Sequence, residues 1–370
     1  MLKKSLRWNS RMLNYRVEVF DKRILDKKFP FYIMGLDVGG TNTNIAVAGV
    51  KDIKNMKILF SLDFKTQELN SLTPAVNETL DYAYREYNII VKHACIGAAG
   101  VVSSSNDYVD LTHVKWNISS KTLVKETPLE KVFIINDFQA VGYGINLLDL
   151  EKDVFKVRTC NRKTSEETKA VIGAGTGLGK CILVYNKKCN MFIPLPSEGG
   201  HSDFPVQNNY EMMLVEFIKK IRKNSKPVNY EELISGRGIE NIYLFLRDKK
   251  EFPESKYTEE IDHSNDKTPL ISKYRNVDET CKEVFRLFTK FYGRCVKNFI
   301  LETMATGGLY IGGGIAAKNK EIFSSNEFFE EFENTYQRST LIKNIPVYVI
   351  LNYKISLYGT CLAGIKKFQK

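Results

Sequence analysis

Apolar and polar positions along the chain predict an alternation of strands and helices. An apolar run over Phe31–Val38 stops at Gly39-Gly40, and a second run covers residues 44–50, so the pair is predicted to form a β-hairpin. Further apolar runs predict strands at residues 58–64, 94–99 and 132–135, and a helical period covers about residues 74–87. This alternation favours an α/β architecture.

The same strand, glycine turn and strand recur about 135 residues later. Residues 169–184 hold two apolar runs separated by a turn of glycine and threonine between Gly173 and Gly179. Helices are predicted within 207–246 and at 281–303, and a strand at 309–311 leads into Gly312-Gly313-Gly314. The intervening residues 247–280 are rich in charge, Ser, Asn and Asp, which predicts a surface excursion with little core.

Both glycine-rich turns have the composition of a phosphate-binding loop, because glycine lets backbone N–H groups approach a phosphate closely. In the first turn, Thr41 adds a hydroxyl and Asp37 a carboxylate suited to a water ligand of Mg²⁺. The second turn departs from both common nucleotide-binding patterns. Leu178 stands where the Rossmann pattern needs glycine, and Cys181 stands where the Walker A pattern needs serine or threonine. One such turn alone is more typical of a structural hairpin. Two turns and a glycine triplet together favour two related domains that bind a nucleotide.

Several polar residues at element ends are candidates for chemistry, and each has a structural alternative. Asn136 and Asp137 follow an apolar strand and could cap the next helix. Glu198 and His201 could be a surface pair or half of a metal site, and Glu231 could be an ordinary carboxylate at a helix start. Only their joint presence favours a common site.

Six segments occur in a recognisable order from about residue 31 to the end of the chain: 36–42, 134–138, 173–179, 196–204, 231–238 and 311–315. With them the chain resembles the bacterial-type glucokinases of the actin-like ATPase and sugar kinase superfamily. The cysteine-rich zinc motif of the related repressor and kinase group does not follow His201, so no structural zinc is expected.

The resemblance implies roles for the candidate residues. Asp137 would be the catalytic base, and Asn136, Glu198, His201 and Glu231 would bind sugar hydroxyls. Mg²⁺ and ATP would be held by the two hairpins and the glycine triplet, with Asp37 as the water-mediated magnesium ligand. The implied nucleotide-binding residues are Asp37, Gly39, Gly40, Thr41, Asn42, Gly175, Thr176, Gly177, Gly313 and Gly314. Phosphoryl transfer needs positioning and charge neutralisation of this kind more than covalent chemistry.

The implied fold is a two-lobed, actin-like (ribonuclease H-like) α/β fold with a cleft between the lobes. A small lobe at 31–147, completed by about 355–370, and a large lobe at 148–354 would follow a basic extension at 1–30. The implied activity is ATP-dependent phosphorylation of glucose to glucose 6-phosphate by a homodimer. Kinases of a related hexose or amino sugar, and a non-catalytic sugar-sensing regulator, remain alternatives, although 30 residues are too few for a regulator's helix-turn-helix domain. His113 receives no role.

Composition narrows the class of protein. The 370 residues are 43% apolar and 26% charged, which is typical of a globular chain, and no apolar run approaches the roughly 18 residues of a membrane span. Seven cysteines without a C-x-x-C pair match neither a disulfide framework nor a zinc ribbon. We therefore expect a cytoplasmic protein with reduced thiols and no membrane partner.

The net charge of +11 is concentrated at one end of the chain. Residues 1–33 carry nine basic and three acidic side chains, which leaves 45 basic and 40 acidic residues in the rest. The excess is therefore mainly a property of the leader, which weakens an interpretation as a nucleic-acid-binding protein. The leader itself could be a surface extension or an organelle presequence, with the surface extension favoured.

Overall fold

The computed structural model describes residues 13–20, 28–53, 55–112, 114–162 and 164–369. His113 and most of the basic leader predicted at 1–30 lie outside these ranges. Contacts divide the chain into two compact units. The first combines the described residues up to Leu147 with those from Lys354 onward, and the second spans Leu148–Tyr353.

The first unit contains two sheets and four α-helices among its described residues. The strands are β1 (Tyr15–Val19), β2 (Phe31–Val38), β3 (Asn42–Asp52), β4 (Asn55–Lys65), β5 (His93–Ala98), β6 (Gly100–Val102), β7 (Tyr108–Leu111), β8 (Asn117–Ser119) and β9 (Lys131–Asn136). The helices are α1 (Thr73–Tyr87), α2 (Ser120–Glu126), α3 (Asp137–Gly144) and the final helix α12 (Ile355–Phe368). The large sheet has the order β1-β4-β3-β2-β5-β9, in which β5 and β9 run parallel to β2, and β6, β7 and β8 form a small separate sheet.

The second unit has one six-stranded sheet and eight α-helices among its described residues. Its strands are β10 (Val154–Arg158), β11 (Lys169–Ala174), β12 (Leu178–Asn186), β13 (Met191–Ser197), β14 (Leu309–Gly312) and β15 (Val347–Ile350). Its helices are α4 (Asn209–Ile221), α5 (Gly236–Lys249), α6 (Thr258–His263), α7 (Thr268–Tyr274), α8 (Glu279–Thr303), α9 (Gly314–Lys318), α10 (Asn326–Glu333) and α11 (Ser339–Lys343). The sheet order is β10-β15-β14-β11-β12-β13.

Both large sheets contain the same arrangement. Strands β2, β3 and β4 are consecutive and antiparallel, with β5 parallel to β2; strands β11, β12 and β13 are likewise antiparallel, with β14 parallel to β11. The two predicted hairpins, the α/β class and the long helix at 281–303 are therefore confirmed. In each sheet a glycine-rich turn follows a central strand at its carboxyl end.

Burial explains why these segments form the elements they do. The first sheet buries one face against α1 and the other against α12, where Ile33, Ala46 and Leu357 meet in a common apolar cluster. Helix α8 buries most of its 25 residues and forms the centre of the second unit's core. Such extensive burial is the main source of the helix's stability, since propensity alone is marginal in water.

The interpretation of residues 247–280 as an excursion with little core was wrong. The segment contains α6 and α7, whose Ile261 and Ile271 are fully buried against the second unit's core. Two isolated isoleucines within a charged stretch give too weak a periodic signal to predict short helices, so packing decided the structure here.

The structure also contains a strand that the sequence did not predict, inside the basic extension. Strand β1 pairs antiparallel with β4, and the hydroxyl of Tyr15 donates a hydrogen bond to Glu78 at 2.8 Å. Tyr15 and Val17 pack against the first unit's core, while Glu18 forms an ion pair with Lys354. The first strand of the sheet therefore precedes Phe31.

Strand β1 allows a test by truncation. Deleting residues 1–28 removes the partly buried Tyr15 and Val17 and should lower the free energy of unfolding by about 2 kcal/mol or more, because one apolar side chain contributes roughly 1.5–3 kcal/mol when fully buried. Since no predicted site residue is removed, kcat/KM should stay within a few-fold. Thermal unfolding and a kinase assay would measure both quantities. Deletion of residues 1–12 is the control, and equal stability of the two truncated proteins would contradict the assigned role of β1.

No helix in the described ranges is both long and apolar enough to cross a membrane.

Candidate functional site

Asn136 and Asp137 lie where β9 ends and α3 begins. The Asn136 side-chain oxygen accepts hydrogen bonds from the backbone N–H groups of Phe138 and Gln139 at 2.9 and 3.3 Å, and the Gln139 side chain accepts one from the Asn136 N–H at 3.2 Å. This is a capping box, in which Asn136 is the cap and Asp137 the first helical residue. The capping role predicted as an alternative thus belongs to Asn136.

Asp137 is half-buried, and one of its carboxylate oxygens accepts a hydrogen bond from the Phe138 N–H at 2.9 Å. Its strand pairs with β5, and β5 pairs with β2, so that Asn136 and Val38 are both in register with Ala98. Strands lie about 4.8 Å apart, so the ends of β2 and β9 are separated by roughly 10 Å. The candidate base and the first glycine-rich turn therefore share one edge of the sheet.

The first glycine-rich turn connects β2 to β3 and is fixed through its carbonyl groups. The Gly39 carbonyl accepts a hydrogen bond from the Thr66 hydroxyl at 2.8 Å, and the Thr41 carbonyl accepts one from the Thr66 N–H at 3.0 Å. The Gly40 carbonyl accepts one from the Gln67 side chain at 2.8 Å. Exposed Asn42 accepts another from Lys65 at 2.9 Å. These contacts hold the turn in one conformation.

Asp37 is the penultimate residue of β2 and has a partner that the sequence did not reveal. Burial raises the pKa of the Asp37 carboxyl, and a hydrogen bond from the Ser356 hydroxyl at 2.5 Å opposes that rise. Ser356 lies in the first turn of α12, more than 300 residues away in sequence. A single carboxylate of this kind suits Mg²⁺, which keeps several waters and binds together with substrate phosphates. No group of three or more His, Cys, Asp or Glu side chains suited to a metal occurs within the described ranges.

The second glycine-rich turn lies beside the glycine triplet. Strands β11 and β14 are parallel with Gly173 opposite Gly312, so Gly175-Thr176-Gly177 and Gly313-Gly314 meet at the same sheet edge. Gly313 has φ +90°, a conformation that L side chains rarely adopt. A Cβ atom at Gly175 or Gly314 would meet no atom within 4 Å, so the turns border open space. Open space beside glycine backbone fits the phosphates of a nucleotide.

Glu198 and His201 occupy a short 3-10 turn after β13. Both side chains are exposed, and the His201 Nε2 lies 3.9 Å from a Glu198 carboxylate oxygen. Backbone hydrogen bonds join this segment to the one that carries Glu231: the Tyr230 N–H donates to the Ser202 carbonyl at 3.0 Å. Glu231 follows His201 by 30 positions and Glu198 by 33 in the sequence, and the fold makes their segments neighbours.

Glu231 links this pair of segments to the second glycine-rich turn. Its carboxylate accepts hydrogen bonds from the Leu178 N–H at 3.1 Å and from Arg237 at 2.8 Å, and its side chain is 15% exposed. A Cβ atom at Gly177 would lie 2.6 Å from a Glu231 oxygen, so a side chain at this position would displace the Glu231 carboxylate. The structure thereby joins a predicted sugar ligand to a predicted nucleotide turn.

The predicted residues thus form two sets. The first unit holds Asp37, Gly39, Gly40, Thr41, Asn42, Asn136 and Asp137, and the second holds Gly175, Thr176, Gly177, Glu198, His201, Glu231, Gly313 and Gly314. His113, for which the sequence predicted no role, lies outside the described residues.

Arg294 is a buried charge near the second set that sequence reasoning missed. Its guanidinium, fully buried in α8, pairs with Glu211 at 2.7 Å and Glu331 at 3.0 Å. It also donates a hydrogen bond to the Pro205 carbonyl at 2.9 Å, just beyond the segment of Glu198 and His201. An arginine among the apolar residues of a long helix was the available signal, because such charges are rarely buried unless paired.

Similarity to known proteins shows the family of the chain. The sequence matches the Glucokinase family over residues 34–366. The glucokinase of Trichormus variabilis is 32% identical over 346 residues, which cover 89% of this chain and 98% of that protein. The crystal structure of a glucokinase from an Antarctic psychrotroph has a TM-score of 0.73 and 25% identity, covering 90% of this chain and 99% of that one. A glucokinase from Balamuthia mandrillaris in complex with glucose shares the fold, with a TM-score of 0.76 and 22% identity, covering 91% and 94%. With a family match that extends over nearly the whole described chain and a relative of this similarity, the chain belongs to the glucokinase family.

Proposed function

We propose that the protein transfers the γ-phosphate of ATP to the primary hydroxyl of glucose, forming glucose 6-phosphate, with Asp137 as the general base. ATP-dependent glucose phosphorylation follows from membership of the family. The proposal adds the roles of individual residues to this activity. The family resemblance supports the combination of residues from both units in one reaction.

The proposal is carried by the contact, in the second unit, between the predicted sugar-binding segments and the second glycine-rich turn. Glu231 contacts the Gly177-Leu178 turn, and the adjacent Tyr230 is hydrogen-bonded to the segment of Glu198 and His201. Phosphoryl transfer requires the sugar and the phosphate to be held close together in one geometry. A hexose offers neighbouring hydroxyl donors, and two carboxylates with an imidazole are suited to accept from them.

Asp137 is assigned the proton-transfer step. Its carboxylate would accept the proton of the attacking hydroxyl as that oxygen bonds to the γ-phosphorus, while the bond from this phosphorus to the β–γ bridging oxygen breaks and ADP is released. The protonated side chain would then return the proton to solvent. Asn136 uses its side-chain oxygen in the helix cap, so its amide NH₂ is the part that would bind a sugar oxygen. The cap also fixes the start of α3, and with it the position of Asp137.

The nucleotide is assigned to the glycine-rich turns. The first would use Gly39, Gly40, Thr41 and Asn42, and the second unit would use Gly175, Thr176, Gly177, Gly313 and Gly314. Asp37 would hold Mg²⁺ through a water molecule. When bound, Mg²⁺ neutralises charge on the transferring phosphates.

A panel of sugars tests the proposed substrate. Purified protein is assayed for ATP consumption in the presence of Mg²⁺ with glucose, mannose, glucosamine and N-acetylglucosamine. We expect turnover with glucose and none with N-acetylglucosamine. A preference for an amino sugar would replace glucose as the substrate, and sugar binding without turnover would identify a sensing regulator instead.

A further inference from the structure

Lys180 is a buried cation with unusual surroundings. It lies in β12, directly after the second glycine-rich turn, and is only 3% exposed. Its ammonium lies 4.9 Å from the ring centroid of Tyr230 and 5.2 Å from that of Phe299. Aromatic faces attract a cation, but they replace only part of the hydration that it loses on burial.

The third neighbour of the ammonium is the thiol of Cys295 in α8. Burial raises the pKa of this thiol to about 11, and the charge and hydrogen bond of Lys180 oppose that rise. The described partners of Lys180 are thus two rings and a thiol, not a carboxylate. Burial of a lysine in such a setting lowers the free energy of unfolding, because the ammonium loses hydration that its neighbours do not fully replace. An apolar side chain of similar volume at a buried charged position is commonly neutral or stabilising.

Lys180 contacts both segments of the second unit that are proposed to bind the sugar. Its backbone is paired with Ser197, and its side-chain Cδ and Nζ atoms lie 3.1 and 3.5 Å from where a Cβ atom of Gly199 would be. Its ammonium faces the ring of Tyr230, the neighbour of Glu231. Lys180 also lies two residues beyond Leu178, whose N–H donates a hydrogen bond to the Glu231 carboxylate. The side chain therefore fills the space where three segments meet.

We propose that Lys180 is a positioning residue for sugar binding, which holds the turn of Glu198 and His201 against the segment of Tyr230 and Glu231. The inference rests on the proposed function of that site. Lys180 lies behind the backbone of Gly199 and acts through the neighbouring residues.

The test compares K180M, K180R and K297M. Lys297 is a matched control, since it is a buried lysine of the same unit and is 7% exposed. The one hydrogen bond described for its ammonium is donated to the backbone carbonyl of Asn334 at 3.0 Å. For K180M we expect the KM for glucose to rise about fivefold, while the KM for ATP at saturating glucose stays within twofold and the Tm does not fall. K180R should recover part of the glucose affinity, and K297M should leave both KM values unchanged.

A merely structural role predicts a different pattern. Equal rises in both KM values together with a lower Tm, or an unchanged KM for glucose in K180M, would overturn the inference. If K180M does not fold, F299L decides, because it removes one aromatic face and keeps an apolar side chain: an unchanged KM for glucose there would also overturn it. A wild-type protein that neither binds nor phosphorylates a hexose would overturn the proposed function and, with it, this inference.

Discussion

Replacement of Asp137 by asparagine is expected to lower kcat by at least about a hundredfold while the protein stays folded. General-base assistance contributes roughly 10² to 10⁴ in rate, and an amide cannot accept the proton. The fold should survive because the oxygen of Asn can still accept the hydrogen bond from the Phe138 N–H, and because the helix cap is Asn136. Steady-state kinetics, circular dichroism and ATP binding would measure the three quantities.

Asp149→Asn is a matched control for this prediction. Asp149 is an exposed carboxylate that likewise accepts a hydrogen bond from a nearby backbone N–H, that of Glu151 at 2.9 Å, and it lies outside the proposed site. Its replacement should leave kcat unchanged. A folded Asp137→Asn variant with near-native kcat would remove the catalytic assignment.

Glu198→Gln and Glu231→Gln are each expected to raise the KM for glucose at least tenfold. Both changes keep the shape of the side chain and weaken hydrogen bonds to a charged acceptor, which are worth about 1.5–3 kcal/mol each. The KM for ATP, measured at saturating glucose, should hardly move. Glu198 is exposed, so its replacement should leave the Tm unchanged, whereas Glu231→Gln also loses an ion pair with Arg237.

Glu232→Gln separates sugar binding from folding. Its carboxylate, adjacent to Glu231, accepts two hydrogen bonds from Arg222 at 2.6 and 2.7 Å and completes a capping box with Asn229. The change should lower the Tm and leave the KM for glucose near its original value. An equal rise in the KM for glucose and for ATP in Glu198→Gln or Glu231→Gln would indicate that these residues maintain the fold instead.

Local patterns were sufficient to predict the repeated hairpins. An apolar run of strand length, a turn rich in glycine and a second apolar run determine most of β2, β3, β11 and β12, because a buried strand and a tight turn each need particular residue types. The same holds for Asn136-Asp137 at the end of β9. Candidate residues could be chosen from the sequence because they follow such runs directly.

Contacts between distant segments were beyond local patterns. Three contacts depend on tertiary packing, and no spacing in the sequence encodes them. They are the hydrogen bond from Ser356 to Asp37, the hydrogen bond from Leu178 to Glu231, and the contact of Lys180 with the ring of Tyr230. Strand β1 does show the alternation of apolar and polar positions that is typical of a half-buried strand. Its five residues stand in a basic leader, however, and the composition of the leader concealed the pattern.

The pairing of β1 with β4 also protects the protein against aggregation. Residues 58–62 of β4 are buried, so without β1 the sheet would end in a long apolar strand with unpaired backbone groups, which is a template for pairing with another chain. Strand β1 is short and carries Arg16 and Glu18, which are features that blunt a sheet edge. A truncated protein that still turns over glucose at its native rate would therefore be lost from solution by self-association, at a rate that rises with its concentration.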